Sequence, residues 1–475
     1  MHPDLAADLA RLPSLLQSVR EHATAFLDGV EEREVVPPFE GSRAAGLPER
    51  GSGLRAALGD FAERWEPGLS ASAGPRYWGF VTGGVTPAAL AGDWLTAVAD
   101  QNSFSSLDGA GQELERETVA WLRDLFGLSR EQEGTLVSGA TMSNMVGLAV
   151  AREWLGERLG VSPAEEGAAA LGAVRVLSGS PHSSVPKSLS MLGLGRRSLV
   201  LVPTLAGREA VDPVALEAAL EQADGPCVVV ANAGTVNSGD FDDLRAIVRL
   251  RDRYDFWLHV DAAFGGFAAL SPASEYLVDG MGEADSVCVD LHKWLNVPYD
   301  SAVQFTRRQD LQVRVFRNAA AYLGPDAAAR PDPAGGGVDR VHRTPENSQR
   351  LRALAAWFTL RAYGREGHRE IVERCMACAR SLAASIDAAP GLRMLAPVRL
   401  NVVCFTLAEN PTPTRLAALS GKAAGRVFLT PTVYAGVPAL RAAFSNWRTT
   451  EADVRIAFET LCESMPPDSL ESSGA

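Results

Sequence analysis

The chain has 475 residues, 46% of them hydrophobic and 22% charged, a composition typical of a globular protein. Its net charge of −13 argues against nucleic acid or an anionic membrane as the main partner. The sequence has no apolar run of about 18 residues, the length that a membrane-spanning helix needs. Its N-terminus also lacks the basic start and apolar block of a signal peptide.

The six cysteines are few and lie mostly within apolar runs, which predicts reduced thiols in a cytoplasmic protein. Cys375 and Cys378 form a CxxC pair inside a long helical pattern. No second pair of ligands accompanies them, so we expect core packing and predict no metal site.

Residues 1–110 combine a helical start with Pro/Gly-rich segments and are predicted to form an N-terminal arm rather than an independent core. From residue 111 a helix and a strand at 134–138 begin a different pattern, in which short apolar strands alternate with helices. The further strands are predicted at 173–179, 198–203, 227–234, 256–264, 286–293 and 301–306. Apolar strands spaced by helices indicate an α/β fold with a mostly parallel sheet covered on both faces. Ligands bind such sheets beyond the carboxyl ends of the strands.

Residues 324–345 are rich in Pro, Gly and Ala and are predicted to form a loop. A long helix at about 346–388 follows, and then strands and a last helix that together suggest a smaller α+β domain. The predicted division is an arm at 1–110, a large ligand-binding α/β domain at 111–345 and a small C-terminal α+β domain at 346–475.

Lys293, in the segment "DLHKWLNVPYDSA", is unusual because only three of the 45 basic residues are lysines. The other two are Lys187 and Lys422. Arginine keeps its proton in proteins, whereas a lysine can become a neutral amine and attack a carbonyl group. A surface charge is the ordinary role of a lysine, so the neighbouring residues have to decide whether Lys293 has this chemical role.

Other polar groups also follow predicted strands. The turn at Gly139–Thr141 joins a strand to a helix and could bind phosphate through backbone amides. Asp261, His182 and Thr235 each end a different strand, and His292 precedes Lys293. Taken singly, these residues fit a tight turn, a helix cap or a buried polar contact.

Together they are the set that pyridoxal phosphate needs. The amine forms a Schiff base with its aldehyde, and a carboxylate keeps its pyridine nitrogen protonated. A helix N-terminus would hold its phosphate. The alternative is a Rossmann-type dinucleotide enzyme, but no GxGxxG follows any predicted strand.

Seven segments in order resemble the group II pyridoxal-phosphate-dependent amino-acid decarboxylases of fold type I, the family of the aromatic-amino-acid, histidine and glutamate decarboxylases. They are "PRYWGFVTGG", "SGATMSN", "HSSVPKS", "NAGTVNSGDFDDL", "LHVDAAFGG", "HKWLNVPYDSA" and "TPENSQRLRALAAWFTLRAYGREG". The resemblance extends from about Pro75 to the segment at 446–453.

The resemblance implies three catalytic residues. Lys293 would form the Schiff base, Asp261 would pair with the pyridine nitrogen, and His182 would stack on the ring and touch the substrate carboxylate. The implied cofactor-binding set is Ala140, Thr141, His182, Thr235, Asp261, Ala263, His292 and Lys293. Within it, Ala140, Thr141 and His292 would contact the phosphate, and Ala263 and Thr235 would lie near the ring.

The resemblance also implies a substrate pocket. Phe80 and Thr82 match the family's substrate segment, where Thr82 would help to hold the carboxylate, and Arg441 matches a small-domain arginine. Trp78, Phe80 and Phe104 could line a pocket for an aromatic substrate or pack at an interface.

Two departures from the family pattern stand out. Asp290-Leu291 replaces the frequent Asn-Pro before His-Lys, and we expect this change to affect only local packing. The loop at 324–345 lacks the tyrosine that protonates Cα in many members of the family. Either His342 or Tyr322 could supply that proton. Otherwise the reaction could end differently, as in the family's aldehyde-forming members, which react with oxygen.

The resulting hypothesis is a decarboxylase that converts an L-amino acid, preferably aromatic or otherwise apolar, to an amine and CO₂. Oxygen-dependent aldehyde synthesis on the same cofactor is the alternative, and a non-enzymatic relative would be expected to have lost the cofactor residues. The resemblance further implies a homodimer in which the arm at 1–110, used in dimerisation, and the segment around 102–104 complete the site of a second subunit.

Overall fold

The computed structural model describes residues 1–39, 41, 46–102, 109–223, 225–318 and 338–465. Within those ranges, no helix is long and apolar enough to cross a lipid bilayer. The predicted site residue Phe104 and the alternative proton donor Tyr322 both lie outside the described residues.

The helices are α1 Pro3–Ala10, α2 Leu12–Asp28, α3 Gly53–Arg64, α4 Pro87–Ala99, α5 Gly111–Leu125, α6 Ala140–Leu159, α7 Pro163–Glu166, α8 Ser184–Met191, α9 Pro213–Glu221, α10 Leu244–Arg249, α11 Leu291–Trp294, α12 Gln309–Phe316, α13 Ala353–Asp387, α14 Pro413–Ala423 and α15 Glu451–Ser464. The strands are β1 Glu133–Val137, β2 Val176–Ser178, β3 Leu199–Leu201, β4 Cys227–Asn232, β5 Phe256–Asp261, β6 Ser286–Asp290, β7 Ala302–Thr306, β8 Leu392–Met394, β9 Val402–Leu407, β10 Thr430–Tyr434 and β11 Val437–Ala443.

Seven strands form the large sheet in the order β1-β7-β6-β5-β4-β2-β3. Strand β7 pairs antiparallel with both of its neighbours, and every other pair in the sheet is parallel. Strands β4, β5 and β6 are buried along their whole length, as expected of central strands with helices on both faces. The predicted α/β class with a mostly parallel sheet is confirmed.

A second sheet has the order β10-β11-β9-β8 and is antiparallel throughout. Helix α13 leads into it and begins at Ala353, later than the 346 expected from the sequence. Gly364, with φ 59°, interrupts α13, so the predicted continuous helix is two helical segments joined at a kink.

The segment at 77–86 runs between the two sheets. The backbone N–H of Trp78 donates to Phe428 O at 3.0 Å, and Ala443 N donates to Trp78 O at 2.9 Å. The indole of Trp78 is 1% exposed and packs on Phe444 with ring centroids 4.4 Å apart. Trp78 is therefore a core residue, and the idea that it lines a substrate pocket is wrong.

Candidate active site

A cavity of about 270 Å³ lies beyond the carboxyl ends of β4, β5 and β6. Its lining residues are Phe80, Val81, Ala140, Ser180, His182, Asn232, Gly234, Thr235, Val236, Asp261, Ala263, Phe264, His292, Lys293, Tyr299 and Arg441. Nine of the 13 residues expected from the sequence are among them. The structure thus brings together side chains that are up to 361 residues apart in the chain, such as Phe80 and Arg441.

Lys293 lies on the short helix α11, directly after β6, with 21% of its side chain exposed. Its Nζ is 2.8 Å from Asp290 Oδ2 and 5.9 Å from the ring centre of Phe264. Burial opposes the positive charge, but the charge and hydrogen bond of Asp290, together with Asp261, outweigh it and raise the pKa of Lys293.

The backbone of Gly83 explains how Lys293 is packed. A Cβ at position 83 would lie 1.6 Å from the carbonyl oxygen of Lys293, so only glycine fits against this part of α11. Asn296 fixes the same contact, because its Nδ2 donates to Gly83 O and, at 2.7 Å, to Ser445 O.

Asp261 ends β5 and is 6% exposed. Its Oδ2 accepts a hydrogen bond of 2.8 Å from Asn144 Nδ2, and its Oδ1 accepts one of 3.2 Å from Ala263 N. Both bonds orient the carboxylate without neutralising it, so its charge remains available to a cationic group in the cavity.

Asn144 of α6 connects this carboxylate to two histidines. Its Nδ2 donates to Ser184 Oγ at 2.9 Å as well as to Asp261, and its Oδ1 lies 2.8 Å from His259 Nε2. Because a carboxylate only accepts, the amide group of Asn144 must face Asp261, and Nε2 of His259 must carry a proton. Burial lowers the pKa of His259 to about 4, which keeps this imidazole neutral.

His182 follows β2 and lies at the cavity with its imidazole oriented by Ser184. Its Nδ1 accepts from Ser184 N at 3.2 Å and is 2.8 Å from Ser184 Oγ. The proton of the neutral ring is therefore on Nε2. Although the residue as a whole is exposed, the desolvation of its ring lowers the pKa of His182, so a neutral hydrogen-bond donor faces the cavity.

The N-terminus of α6 begins at the predicted phosphate turn. The first intrahelical bond runs from Ser143 N to Gly139 O, so the amides of Ala140, Thr141 and Met142 have no partner within the helix. The amide of Ala140 donates to Asp290 Oδ1 at 2.6 Å. The backbone amides of Thr141 and Met142 are therefore able to donate to a bound anion.

The expectation that Asp290 affects only local packing is therefore wrong. The carboxylate is 3% exposed and joins Lys293 to the α6 N-terminus, while His292 Nε2 lies 3.6 Å from its Oδ1. Ser301 N donates to His292 Nδ1 at 3.3 Å, which leaves the proton of His292 on Nε2, facing Asp290.

The opposite wall of the cavity comes from two backbone segments held by Arg441 on β11. Its guanidinium donates to Val236 O and, at 2.9 Å, to Phe80 O. Phe80 and Val81 have φ values of 62° and 137°, a strained conformation for side-chain-bearing residues. Phe80 N also donates to Thr430 Oγ1 at 2.7 Å, so the small sheet holds this strained segment in place.

Thr235 lies at the cavity, but its hydroxyl is directed to Glu209. It donates to Glu209 Oε2 at 2.6 Å, and the same oxygen accepts from Ser238 N at 3.0 Å. Glu209 therefore holds the loop that carries Thr235 and Val236.

Three other predicted residues do not line the cavity. Thr82 is 5% exposed, and its hydroxyl lies 3.3 Å from Gly79 O and 3.4 Å from Tyr299 OH. Thr141 is exposed at the start of α6. His342 is buried away from the cavity of its own chain, where its Nδ1 accepts from Asn318 N at 3.1 Å.

Sequence reasoning missed Asn144, Asp290 and Tyr299. Tyr299 packs on the His292 ring with centroids 4.4 Å apart and lines the cavity. Each of the three lies in a segment that already contained a predicted site residue. This position in the sequence was the only indication that they could belong to the site. Their roles depend on contacts that spacing alone does not reveal.

These residues fit pyridoxal phosphate, the cofactor that the resemblance implies. The cavity presents one primary amine, one charged and well-oriented carboxylate, a neutral imidazole and free helix-terminal amides. In the described residues, no cluster of His, Cys, Asp and Glu side chains is placed to hold a metal ion.

Comparisons with known proteins agree with this fit. Residues 42–408 match the family model described as the pyridoxal-dependent decarboxylase conserved domain. The chain is 30% identical over 331 residues to L-2,4-diaminobutyrate decarboxylase of Acinetobacter baumannii, covering 66% of this chain and 64% of that protein. It is 28% identical over 464 residues to the aromatic-L-amino-acid decarboxylase of Sus scrofa, with 93% of each chain covered.

Among solved structures, Oryza sativa TDC with PLP and tryptamine has a TM-score of 0.87 to this chain. The match covers 96% of this chain and 99% of that one at 23% identity, which shows a shared fold. The predicted fold type I is confirmed.

The hydrogen bonds of Asn144 predict the effect of replacing it with leucine. Asn144→Leu removes one buried hydrogen bond each from Asp261, Ser184 and His259, and a buried polar atom left unsatisfied costs about 1–3 kcal/mol. We expect weaker pyridoxal phosphate binding in addition to a lower free energy of unfolding, measured by fluorescence titration and urea denaturation.

Asn401→Leu is the matched control, because Asn401 is equally buried but donates to Phe444 O beside the second sheet. It should lower the free energy of unfolding and leave cofactor affinity unchanged. Equal cofactor affinity in the two variants would contradict the role given to Asn144.

Proposed function

Because this chain belongs to the pyridoxal-dependent decarboxylase family and is a carboxy-lyase that uses pyridoxal 5'-phosphate, we propose that it converts an apolar L-amino acid, with aromatic ones favoured, to the amine and CO₂. The observation that carries the proposal is the convergence of Lys293, Asp261 and His182 on one cavity. The cofactor supplies an aldehyde that links to amines and a protonated ring that withdraws electrons from Cα.

In this proposal each polar residue has one task. Lys293 binds the cofactor aldehyde through Nζ, and Asp261 holds a proton on the pyridine nitrogen. His182 donates from Nε2 to the substrate carboxylate, which fixes the bond to be broken and contributes to the rate by orientation. The amides at the start of α6 bind the phosphate.

The apolar cavity walls support the substrate class. Phe80, Val236, Phe264 and Tyr299 line the cavity, and Asp261, the one acidic residue of the described lining, would pair with the pyridine nitrogen of the cofactor. A cationic substrate side chain would thus find no uncommitted carboxylate among the described lining residues. Arg441 is 4% exposed and bonds two carbonyl oxygens, so it braces the cavity wall in addition to any contact with a carboxylate.

We also propose that the enzyme is a homodimer with large and small domains at 111–345 and 346–475. The arm at 1–110 would contact both domains and the second subunit. Phe80 and Tyr299 are 60% and 58% exposed beside the cavity. Exposed aromatic rings at a substrate cavity are explained if a second subunit covers them. That arrangement would also let Phe104 act at the partner's cavity.

The alternative outcome is oxygen-dependent aldehyde synthesis. The observation in its favour is the absence of tyrosine from 324–345, the loop expected to protonate Cα. His342 and Tyr322 are the candidates to replace it.

The two outcomes give different products from the same substrates. We expect a panel of L-amino acids to give CO₂ and amine in equal amounts, with the highest kcat/KM for aromatic or branched apolar substrates. Aldehyde and hydrogen peroxide should stay at background. Equimolar aldehyde and peroxide would instead establish the oxygen-dependent reaction, and highest kcat/KM for an acidic or cationic substrate would refute the substrate class.

Lys293→Ala should lose the long-wavelength absorption band of the lysine-bound cofactor and lower kcat by at least about 10³-fold, because the nucleophilic amine is gone. Lys187→Ala is the matched control, since Lys187 is exposed on α8. Retention of the band and of activity in Lys293→Ala would refute the assignment of Lys293.

A further inference from the structure

Asp290 has no role in the chemistry described so far, yet it is the closest charged group to the reactive amine. Its Oδ2 is 2.8 Å from Lys293 Nζ, and its Oδ1 accepts from Ala140 N at 2.6 Å. The side chain is 4% exposed, so water screens neither contact strongly. One carboxylate therefore joins the amine to the helix that would bind the phosphate.

We propose that Asp290 is a positioning residue that holds the amine of Lys293 and sets its proton affinity. The ion pair spans one turn of α11 and fixes the amine over Phe264, at the cavity. The bond to Ala140 fixes the carboxylate in turn, so neither partner depends on a flexible neighbour. This role of Asp290 depends on the cofactor and on no particular substrate.

Other charged or titratable groups also face Lys293. Asp261 on β5 adds negative charge, Cys288 on β6 keeps its proton because burial raises its pKa well above the usual value, and His292 and His182 are neutral rings whose pKa values are lowered by burial. Asp261 is committed to Asn144 and Ala263. Asp290 is thus the carboxylate that hydrogen-bonds the amine directly.

The position of Asp290 also suggests how the proposed reaction ends, a consequence that rests on the proposed function. When CO₂ leaves, the electron pair of the broken bond stays with the substrate. An N–H bond of the Lys293 ammonium then breaks, its proton forms a C–H bond at Cα, and lysine remains as a neutral amine. That amine is the nucleophile required to release the product. Asp290 thereby compensates for a loop without tyrosine.

The proton affinity of Lys293 is measured by the pH dependence of covalent cofactor capture. Cofactor-depleted enzyme is mixed with pyridoxal phosphate or with pyridoxal, and the absorption change is followed from pH 6 to 10. In Asp290→Asn, which keeps the shape of the side chain, the midpoint should fall by about 1–3 pH units. Pyridoxal lacks the phosphate, so an equal shift with both compounds separates the lysine contact from the contact at α6.

Asp300→Asn is the matched control, because Asp300 lies between α11 and β7, near Lys293 in the sequence, but pairs with Arg352 at 2.8 Å. Its midpoint should equal that of the unchanged enzyme. If Asp290→Asn does not fold, as judged by circular dichroism, Asp290→Ser replaces it. An unchanged or raised midpoint in the folded variant would overturn the proposal, as would an equal shift in Asp300→Asn.

Product analysis then tests the consequence. With the best substrate of the panel, the share of aldehyde and hydrogen peroxide formed with oxygen should rise in Asp290→Asn at pH values above its lowered midpoint. It should stay low in Asp300→Asn. A shifted midpoint with unchanged products would exclude Lys293 as the proton donor. If no amino acid is decarboxylated, the proposed function fails, whereas the capture experiment still decides the role of Asp290.

Discussion

The burial of two carboxylates at the ends of neighbouring strands is the constraint that the rest of the site satisfies. Asp261 and Asp290 end β5 and β6 and are 6% and 3% exposed. A buried charge is costly unless it is paired or hydrogen-bonded. Asp290 is balanced by the Lys293 ammonium, whereas Asp261 receives only hydrogen bonds and keeps its negative charge for a ligand.

The two carboxylates therefore have different roles. The one that is already paired controls an amine of the protein, and the one that is only hydrogen-bonded can stabilise a cation brought by the cofactor. Asn144 makes the second role possible, because a neutral amide orients a carboxylate without cancelling its charge. The same amide also donates to Ser184, which orients His182. Asn144 therefore helps to position both Asp261 and His182.

The sequence allowed Lys293, Asp261 and His182 to be predicted because polar residues that follow apolar strands of a parallel sheet must meet at one edge. It did not reveal Asn144 or Asp290 as partners, because their bonds join residues 117 and 150 positions apart. Trp78 and Thr82 do not line the cavity, for a related reason. Both lie in a segment expected to line the pocket, but this segment runs between the two sheets. Only Phe80 and Val81 of this segment line the cavity, and both have a positive φ that the sequence does not predict.

The central claim, that Lys293 is the amine that binds the cofactor, can be tested on the unchanged enzyme. Borohydride reduction of the cofactor-bound protein fixes the cofactor on its lysine, and peptide mass spectrometry then locates it. The chain offers only Lys187, Lys293 and Lys422, so the result is unambiguous. The site described here predicts the added mass on the peptide that contains Lys293. The mass on either of the other two lysines, or no added mass in enzyme that retains its bound cofactor, would contradict it.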